Sequence, residues 1–543
     1  MRTPSTALLT IAPLALAASM ESLLSRSNAT EGRAAEQCCT LLSDVLNSSQ
    51  VLFPNSEEYA AQEASYYSGE QVLQHPACRV TPSNAEDVSK IVKFSTSNNC
   101  NFAVRSGGHM NWVGSSNIGG NGFTIDLEEM KQIGLLDNSK TVAISPGLRW
   151  ADVYGFLSPH NLHTAGGRSS GVGVGGFLLG GGISFLSLEF GFGSDNVINY
   201  EIVLADGSIV NANESERSDL YWALKGGSTN YGIVTRFDMA TFPLTEIWGG
   251  SLFYNATLGP TFYEYLVGFT QRLSVDPHGL LAPILAWNAA EKDYLIWTPN
   301  AYLGPEAFPS PLYDGLQDIP TIRDTMRITN LTSVTDEIEN GSPGGSRTQW
   351  FALAFKANAE LPWDIHLKGD EIFKPFLSRP NTSWALTMQP INVGMISAAK
   401  NRGGNPFGLT EEDGDLFLVL ISVFWTDPGD DVDMKGATQE LLKWSTDTAK
   451  ERGLFNRFIY MNYALNTQPV LESFGPENFD RMREVKEKYD PRGLLNVWKA
   501  IGQSCIINVQ YHPDPMLDSS MAVYGIHISA AVSTKKTSEE HRL

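Results

Sequence analysis

The chain has no run of Lys or Arg that would form a basic patch, and its 39 basic residues stand against 60 acidic ones for a net charge of −21. Nucleic acid and anionic membrane are therefore not expected partners. Beyond the N-terminal stretch no segment reaches the roughly eighteen consecutive apolar residues that a membrane span needs. Cysteine is scarce, five in 543 residues, and no C-x-x-C spacing of the kind that holds zinc occurs. There is no GK[ST] to build a nucleotide-triphosphate loop, no internal repeat and no long low-complexity tract. Disorder is excluded as the default by 42% hydrophobic residues with 10% aromatics. The length implies two to four domains rather than one core.

The N-terminus opens Met1-Arg2, runs apolar from Ala7 to Ala18 with Pro13 inside it, and exits through small residues at Ala15, Ala17, Ala18 and Ser19. That order of features predicts a secretory signal peptide over 1–19, and hence a secreted or vesicular protein. N-x-S/T triplets at Asn28, Asn47, Asn213, Asn255, Asn330, Asn340 and Asn381 fit that route as glycan acceptors, with Asn340 weakened by Pro343. Cys38, Cys39, Cys78 and Cys100 cluster early while Cys505 stands apart. In an oxidising compartment the early four are expected to form one or two bridges, and spacing leaves all three pairings open.

From about residue 72 the pattern becomes short apolar runs separated by Gly-rich turns. A helical stripe over 84–97 follows a cap at Pro82-Ser83-Asn84. Strands are expected at Phe102 to Val104, Gly122 to Leu127, Val142 to Ile144, Tyr200 to Leu204 and Gly232 to Phe237, with Asp206-Gly207 as a hairpin turn. Residues 72–244 thus read as one α+β domain. Over 245–455, alternating segments such as Leu416 to Trp425 mix with helical ones such as Gln439 to Arg452, predicting a second α+β domain on an antiparallel sheet. This is the expected substrate domain. Asn478 to Tyr489 is helical and stops at Asp490-Pro491-Arg492-Gly493.

Two glycine-dense segments stand out: Arg105-Ser-Gly-Gly-His109, and GGRSSGVGVGGFLLGGG from Gly166 to Gly182. Glycine lets backbone N–H groups approach a phosphate or an aromatic ring with no Cβ in the way, and the first segment ends in an imidazole. Gly171, Gly173 and Gly176 satisfy the bare dinucleotide spacing G-x-G-x-x-G. No compact βαβ unit with its later acidic residue frames them, so a Rossmann reading is set aside. His160 and His163 lack carboxylates placed as further metal ligands and read as ordinary structural histidines. Trp112 and Trp150 read as packing residues of the cofactor domain.

RSGGHMNWVGSSNIGGNGFTIDL from Arg105 to Leu127 resembles the flavin-binding segment of the berberine-bridge-enzyme-like oxidoreductases, in the vanillyl-alcohol-oxidase superfamily. GVGVGGFLLGGGISF at 171–185 resembles that family's second loop, SDNV at 194–197 the third, and KGGSTNYGIVTRF at 225–237 the end of the same domain. YMNYA at 460–464 and FGPENFDRMREVKEKYDPRG at 474–493 resemble its C-terminal signature. The likeness runs in order from about 38 to 498. It implies a two-lobed FAD-binding domain of PCMH type over 72–244, the antiparallel-sheet substrate domain over 245–455, and a segment at 456–498 that returns to the FAD domain. The stretch 500–543 departs from the family as an atypical tail.

The resemblance further implies FAD with its pyrophosphate against the first glycine loop and covalently attached through His109. Carried over position by position, the other cofactor-binding residues are Arg105, Ser106, Gly107, Gly108, Met110, Ser115, Ser169, Gly171, Val172, Gly175, Gly176, Gly181, Gly182, Asn196, Gly232, Ile233, Val234 and Asn462. Where some relatives attach FAD a second time through cysteine, this chain has Ser169, so a single attachment is expected. Val172 occupies a place where a small residue goes with access of oxygen. A base is needed to take the proton of an alcohol as hydride leaves for the flavin, and Tyr463 is the first choice, Tyr460 the second. The expected activity is that of an oxidase passing electrons from an alcohol-bearing small molecule to O2. Its style is that of fungal members, many from secondary-metabolite pathways. An oxidase-coupled cyclase of Diels-Alder type and a carbohydrate oxidase are the alternatives.

Overall fold

Phe102–Arg105 and Phe123–Asp126 pair in parallel, and Arg79–Val80 joins the latter in the same sense, with Val51–Leu52 antiparallel at the edge. The helix Ala85–Asn98 connects Arg79–Val80 to Phe102–Arg105, which flank Phe123–Asp126 on either side; the Asn84 side chain caps it by accepting from the Asp87 N–H at 2.9 Å. A second sheet of five antiparallel strands runs in the order Ile133–Leu136, Thr141–Ile144, Ile233–Ala240, Val197–Val203, Ile209–Asn213. Its last two strands meet at the Asp206-Gly207 turn, where Gly207 has φ +77°. The computed structural model describes residues 31–342, 344–493 and 495. The expected signal segment at 1–19, the Asn28 triplet, Cys505 and the 500–543 tail lie outside them.

The third sheet has ten strands, all antiparallel, drawn from Ile247–Asn255 to Phe455–Asn456. Leu416–Trp425 lies between Arg347–Lys356 and Ser383–Ile391 with full-length pairing to both. Its nearly unbroken apolar sequence reflects burial on both faces. The α+β reading therefore holds. One boundary differs: the helix expected from Gln439 begins at Asp431. Its first turn lacks an apolar stripe, Val432 being exposed, and is held instead by tertiary contacts. Asp431 accepts from the Trp425 indole N–H at 2.7 Å and pairs with Arg347.

All four early cysteines are bridged, Cys38 to Cys100 and Cys39 to Cys78. The bridges fasten the helical segment at 31–45 to the start of Arg79–Val80 and to the end of helix Ala85–Asn98. Helix Leu331–Asn340, from the region of the large sheet, packs on helix Trp150–Leu157, which precedes the second glycine loop. Among the described residues no helix is long and apolar enough to cross a membrane.

His163 is buried with Nδ1 2.8 Å from the Thr164 carbonyl, and His366 is buried between Tyr294 and Trp384. Burial pushes each imidazole down to about 4. In the unfolded chain both titrate near 6.5. The unfolded state therefore binds more protons between these values, and stability is lost as pH falls from about 6.5 to about 4. Asp195, raised to about 6 mainly by burial, and Asp415, also raised by burial, work in the opposite sense, as two groups against three once His109, likewise pushed down to about 4, is counted. The melting temperature is expected to drop across that window in a thermal-unfolding series; a flat or rising profile contradicts the burial of these rings as neutral species.

Candidate active site

The two glycine loops touch backbone to backbone. A Cβ on Gly107 would stand 2.5 Å from the Gly173 Cα, and one on Gly173 equally close to the Gly107 Cα. No side chain is admissible at either position without moving main chain. The Ser106 hydroxyl fixes the approach: it donates to the Pro146 carbonyl at 2.6 Å and accepts from the Gly175 N–H at 3.2 Å. Gly108 turns the first loop with φ +66° into His109.

Around this contact lies a cavity of about 540 Å3. Its wall includes Ser106, Gly107, Gly108, His109, Met110 and Ser115 from the first loop, and Ser169, Val172, Gly175 and Gly176 from the second. Ile233, Val234, Tyr460, Asn462 and Tyr463 complete the predicted residues that it gathers. Gly171, Gly181, Gly182, Asn196 and Gly232 are not in the wall. Gly171 sits behind it against Glu339, and Gly181 and Gly182 turn the chain with φ +106° and +80°. Asn196 donates to the Phe190 and Phe192 carbonyls. Arg105 points away from the cavity into a buried ion network, where it shares Asp126 with Arg79 at 2.7 and 2.8 Å.

His109 is half-buried and stacked on Tyr67, with ring centroids 4.1 Å apart and planes 18° apart, and Trp350 stands 6.1 Å away. Burial pushes the imidazole down to about 4; Glu339 opposes that shift and Arg149 adds to it. The ring is thus neutral at physiological pH, with a lone pair available. Ser169 does not face the cavity alone: its hydroxyl donates to the Glu339 carboxylate, which also accepts from the Gly171 N–H at 3.1 Å.

Tyr463 comes from the C-terminal segment, which Trp112 ties to the first loop by donating its indole N–H to the Ala464 carbonyl at 2.7 Å. The Tyr463 hydroxyl oxygen accepts from Arg168 Nη2 at 2.6 Å and from Gln389 Nε2 at 2.9 Å. Two N–H donors on one phenolic oxygen, one of them cationic, stabilise it when it carries negative charge. Arg168 is the sole Asp, Glu, Lys or Arg among the residues lining the cavity. Tyr460 packs edge-on against Tyr463, centroids 4.8 Å apart, and accepts from Asn462 at 3.1 Å. Burial pushes its phenol up. Of the two tyrosines, Tyr463 has the partners of a base.

Arg168, Gln389, Glu339, Tyr67 and Trp350 were not anticipated from sequence. Arg168 alone left a signal, a lone cation inside an otherwise uncharged glycine run. His163 makes its ring hydrogen bond to backbone, and His160 packs on Phe156. Among the described residues no group of three His, Cys, Asp or Glu could hold a metal.

A family model for an FAD binding domain matches residues 76–213, and one described as berberine and berberine like matches 459–502. An FAD-dependent monooxygenase of Cochliobolus heterostrophus is 32% identical over 84% of this chain and 92% of its own length. The chain belongs to the berberine-bridge-enzyme-like FAD-dependent oxidoreductases. A second relative within this group, the bifunctional solanapyrone synthase of Alternaria solani, is 31% identical over 83% of this chain and 86% of its own. The fold is also that of 6-hydroxy-D-nicotine oxidase from Arthrobacter nicotinovorans, with TM-score 0.68, 22% identity, and coverage of 82% of this chain and 95% of that one. Xylooligosaccharide oxidase from Myceliophthora thermophila gives TM-score 0.67 at 20% identity, covering 89% and 100%.

The cavity fits FAD on its own features. Gly176 in the cavity wall has open space where a Cβ would stand, and buried polar atoms near the cradle lack partners in the chain: both side-chain atoms of Asn111, Ser116 Oγ and Asn230 Oδ1. Gly107→Ala is expected to cost about 1–3 kcal/mol by overpacking backbone on backbone. The readouts are a lower melting temperature and a reduced flavin-to-protein ratio, and an unchanged ratio would show that the loop contact does not shape the cofactor site.

Proposed function

We propose that this protein is an oxidase that removes two electrons from an alcohol-bearing small molecule of secondary metabolism and passes them to O2. The observation that carries the reading is the double donation from Arg168 and Gln389 to Tyr463, in the wall of the cavity that also holds His109. FAD, when bound, supplies the two-electron acceptor. Tyr463 removes the proton of the substrate hydroxyl. Arg168 holds the negative charge that the phenolate oxygen carries before it takes the proton, and Gln389 fixes the ring's orientation. The relatives' names, monooxygenases and a synthase from fungi, support the metabolic setting.

His109 is the covalent anchor. It is neutral, and the stacked Tyr67 ring holds its plane. Ser169 has no thiol to form a second link, and its hydroxyl is committed to Glu339. Val172, in the cavity wall, is small enough to support O2 as the final acceptor. Secretion is proposed from the N-terminal segment; the two bridges and the exposed asparagines of the triplets at Asn47, Asn255, Asn330, Asn340 and Asn381 support it.

A second reading adds a ring-forming step in the same cavity, favoured by the apolar chamber beside Tyr463 and by the bifunctional relative. The already oxidised intermediate, supplied without O2, separates the two: no acceleration over buffer removes the cyclase.

Acid denaturation is expected to leave yellow colour on the wild-type chain and to release it from His109→Ala. Covalent flavin in that variant removes the anchor assignment. Tyr463→Phe is expected to retain flavin and lose about 10²–10⁴-fold in kcat/KM; a loss below about threefold assigns the proton to another group.

A further inference from the structure

Beyond Tyr463 the cavity wall is one face of the large sheet. Side chains alternate along a strand, and Ser383–Ile391 presents Gln389, Thr387, Ala385 and Ser383 to the cavity at every second position. Leu416–Trp425 presents Leu420, Ser422 and Phe424, and Ile284–Asn288 presents Ile284 and Ala286.

Cross-strand register sorts these side chains into rows. Leu420, Thr387, Ile284 and Trp297 form one. The next is Trp350, Ser422, Ala385 and Ala286, three small residues beside one indole. Ser383 and Phe424 form the outermost. Gln389 begins the series at the Tyr463 end. Six residues further along the strand, Ser383 lies about 20 Å away at about 3.4 Å per residue. The small middle row makes a trough, and Trp297, Trp350 and Phe424 give it flat aromatic sides.

The polarity is one-ended. Arg168 and Gln389 lie at the Tyr463 end, whereas the trough beyond offers the hydroxyls of Ser383, Thr387 and Ser422 and the unpartnered indole N–H groups of Trp297 and Trp350. A sugar, with a hydroxyl on nearly every carbon, would leave several of them without partners there, at about 1–3 kcal/mol each. An apolar ring system meets matching surface along its whole length.

We infer that this trough selects an elongated, flat, largely apolar alcohol, up to about 20 Å long, lying along the sheet with its hydroxyl-bearing carbon at Tyr463. The inference rests on the alcohol-oxidising reading and specifies its substrate class. The oxidation removes two electrons and two protons from the carbinol, giving the carbonyl compound, and O2 takes them up as hydrogen peroxide.

Binding is tested on holoenzyme whose flavin has first been photoreduced without oxygen, so that no turnover occurs. Calorimetric titration with benzyl alcohol, a hydroxymethyl-anthracene and xylobiose is expected to rank the anthracene tightest, by about tenfold or more over benzyl alcohol, and xylobiose weakest. Ala286→Leu, which fills the trough, and Phe424→Ala, which removes its outer side, are each expected to shrink the anthracene-to-benzyl preference by about fivefold or more. Flavin content and melting temperature are checked in both variants. Equal affinities for the two aromatic alcohols, tightest binding of xylobiose, or a preference unmoved in both variants overturns the inference.

Anaerobic bleaching of the oxidised flavin separates this from the reading beneath it. Discrimination by ring length without bleaching by any alcohol leaves the trough and removes the alcohol oxidation. Bleaching by small polar alcohols with no length preference does the reverse.

Discussion

Everything in the site depends on the main-chain contact of Gly107 with Gly173. Because neither position tolerates a side chain, the two loops approach to a distance that places His109, two residues beyond one glycine, and Val172, one residue before the other, in the wall of the same cavity. Ser106 locks that approach from below through Gly175 and Pro146. Trp112 then extends it to the C-terminal segment by its bond to Ala464, which brings Tyr463 within reach of Arg168. Helix Leu331–Asn340 closes the remaining side, its Glu339 bound to Ser169 and to the Gly171 N–H.

Charge is distributed with the same economy. A chain of net charge −21 keeps its buried carboxylates away from the reaction cavity or neutralises them. Asp126 is shared by Arg79 and Arg105, Glu63 pairs with Arg79, and Glu339 faces the back of the second loop. What reaches the cavity is one cation, Arg168, already bonded to the phenol. In a wall otherwise uncharged, that single cation stands against no carboxylate among the lining residues. The electrostatic character of the site is therefore opposite to that of the molecule as a whole.

The legible parts of this structure are those whose signal is local. The glycine loops, the C-terminal signature, the Asn84 cap, the Asp206-Gly207 turn and the apolar strand Leu416–Trp425 each declare themselves within a few residues. The parts that escaped notice are pairings across long separations. Arg168 and Tyr463 lie 295 residues apart, and Gln389 and Tyr463 74 apart. A glutamine on a buried strand carries no mark that its amide meets a tyrosine. Arg105 shows the converse: it sits in the most recognisable motif of the chain, yet its side chain serves the ion network behind the sheet because Asp126 is its strand partner in register. The sequence motif located the loop, and only the pairing of strands decided which way its first side chain turns.

The three groups at the tyrosine oxygen come from widely separated parts of the chain, Arg168 from the first domain, Gln389 from the large sheet and Tyr463 from the segment that returns. During synthesis the cofactor cradle is complete in sequence long before residue 463 leaves the ribosome. A half-made molecule thus has the glycine loops, His109 and Arg168 but not the tyrosine to which Arg168 donates. The cavity wall is completed only by the last part of the fold to arrive.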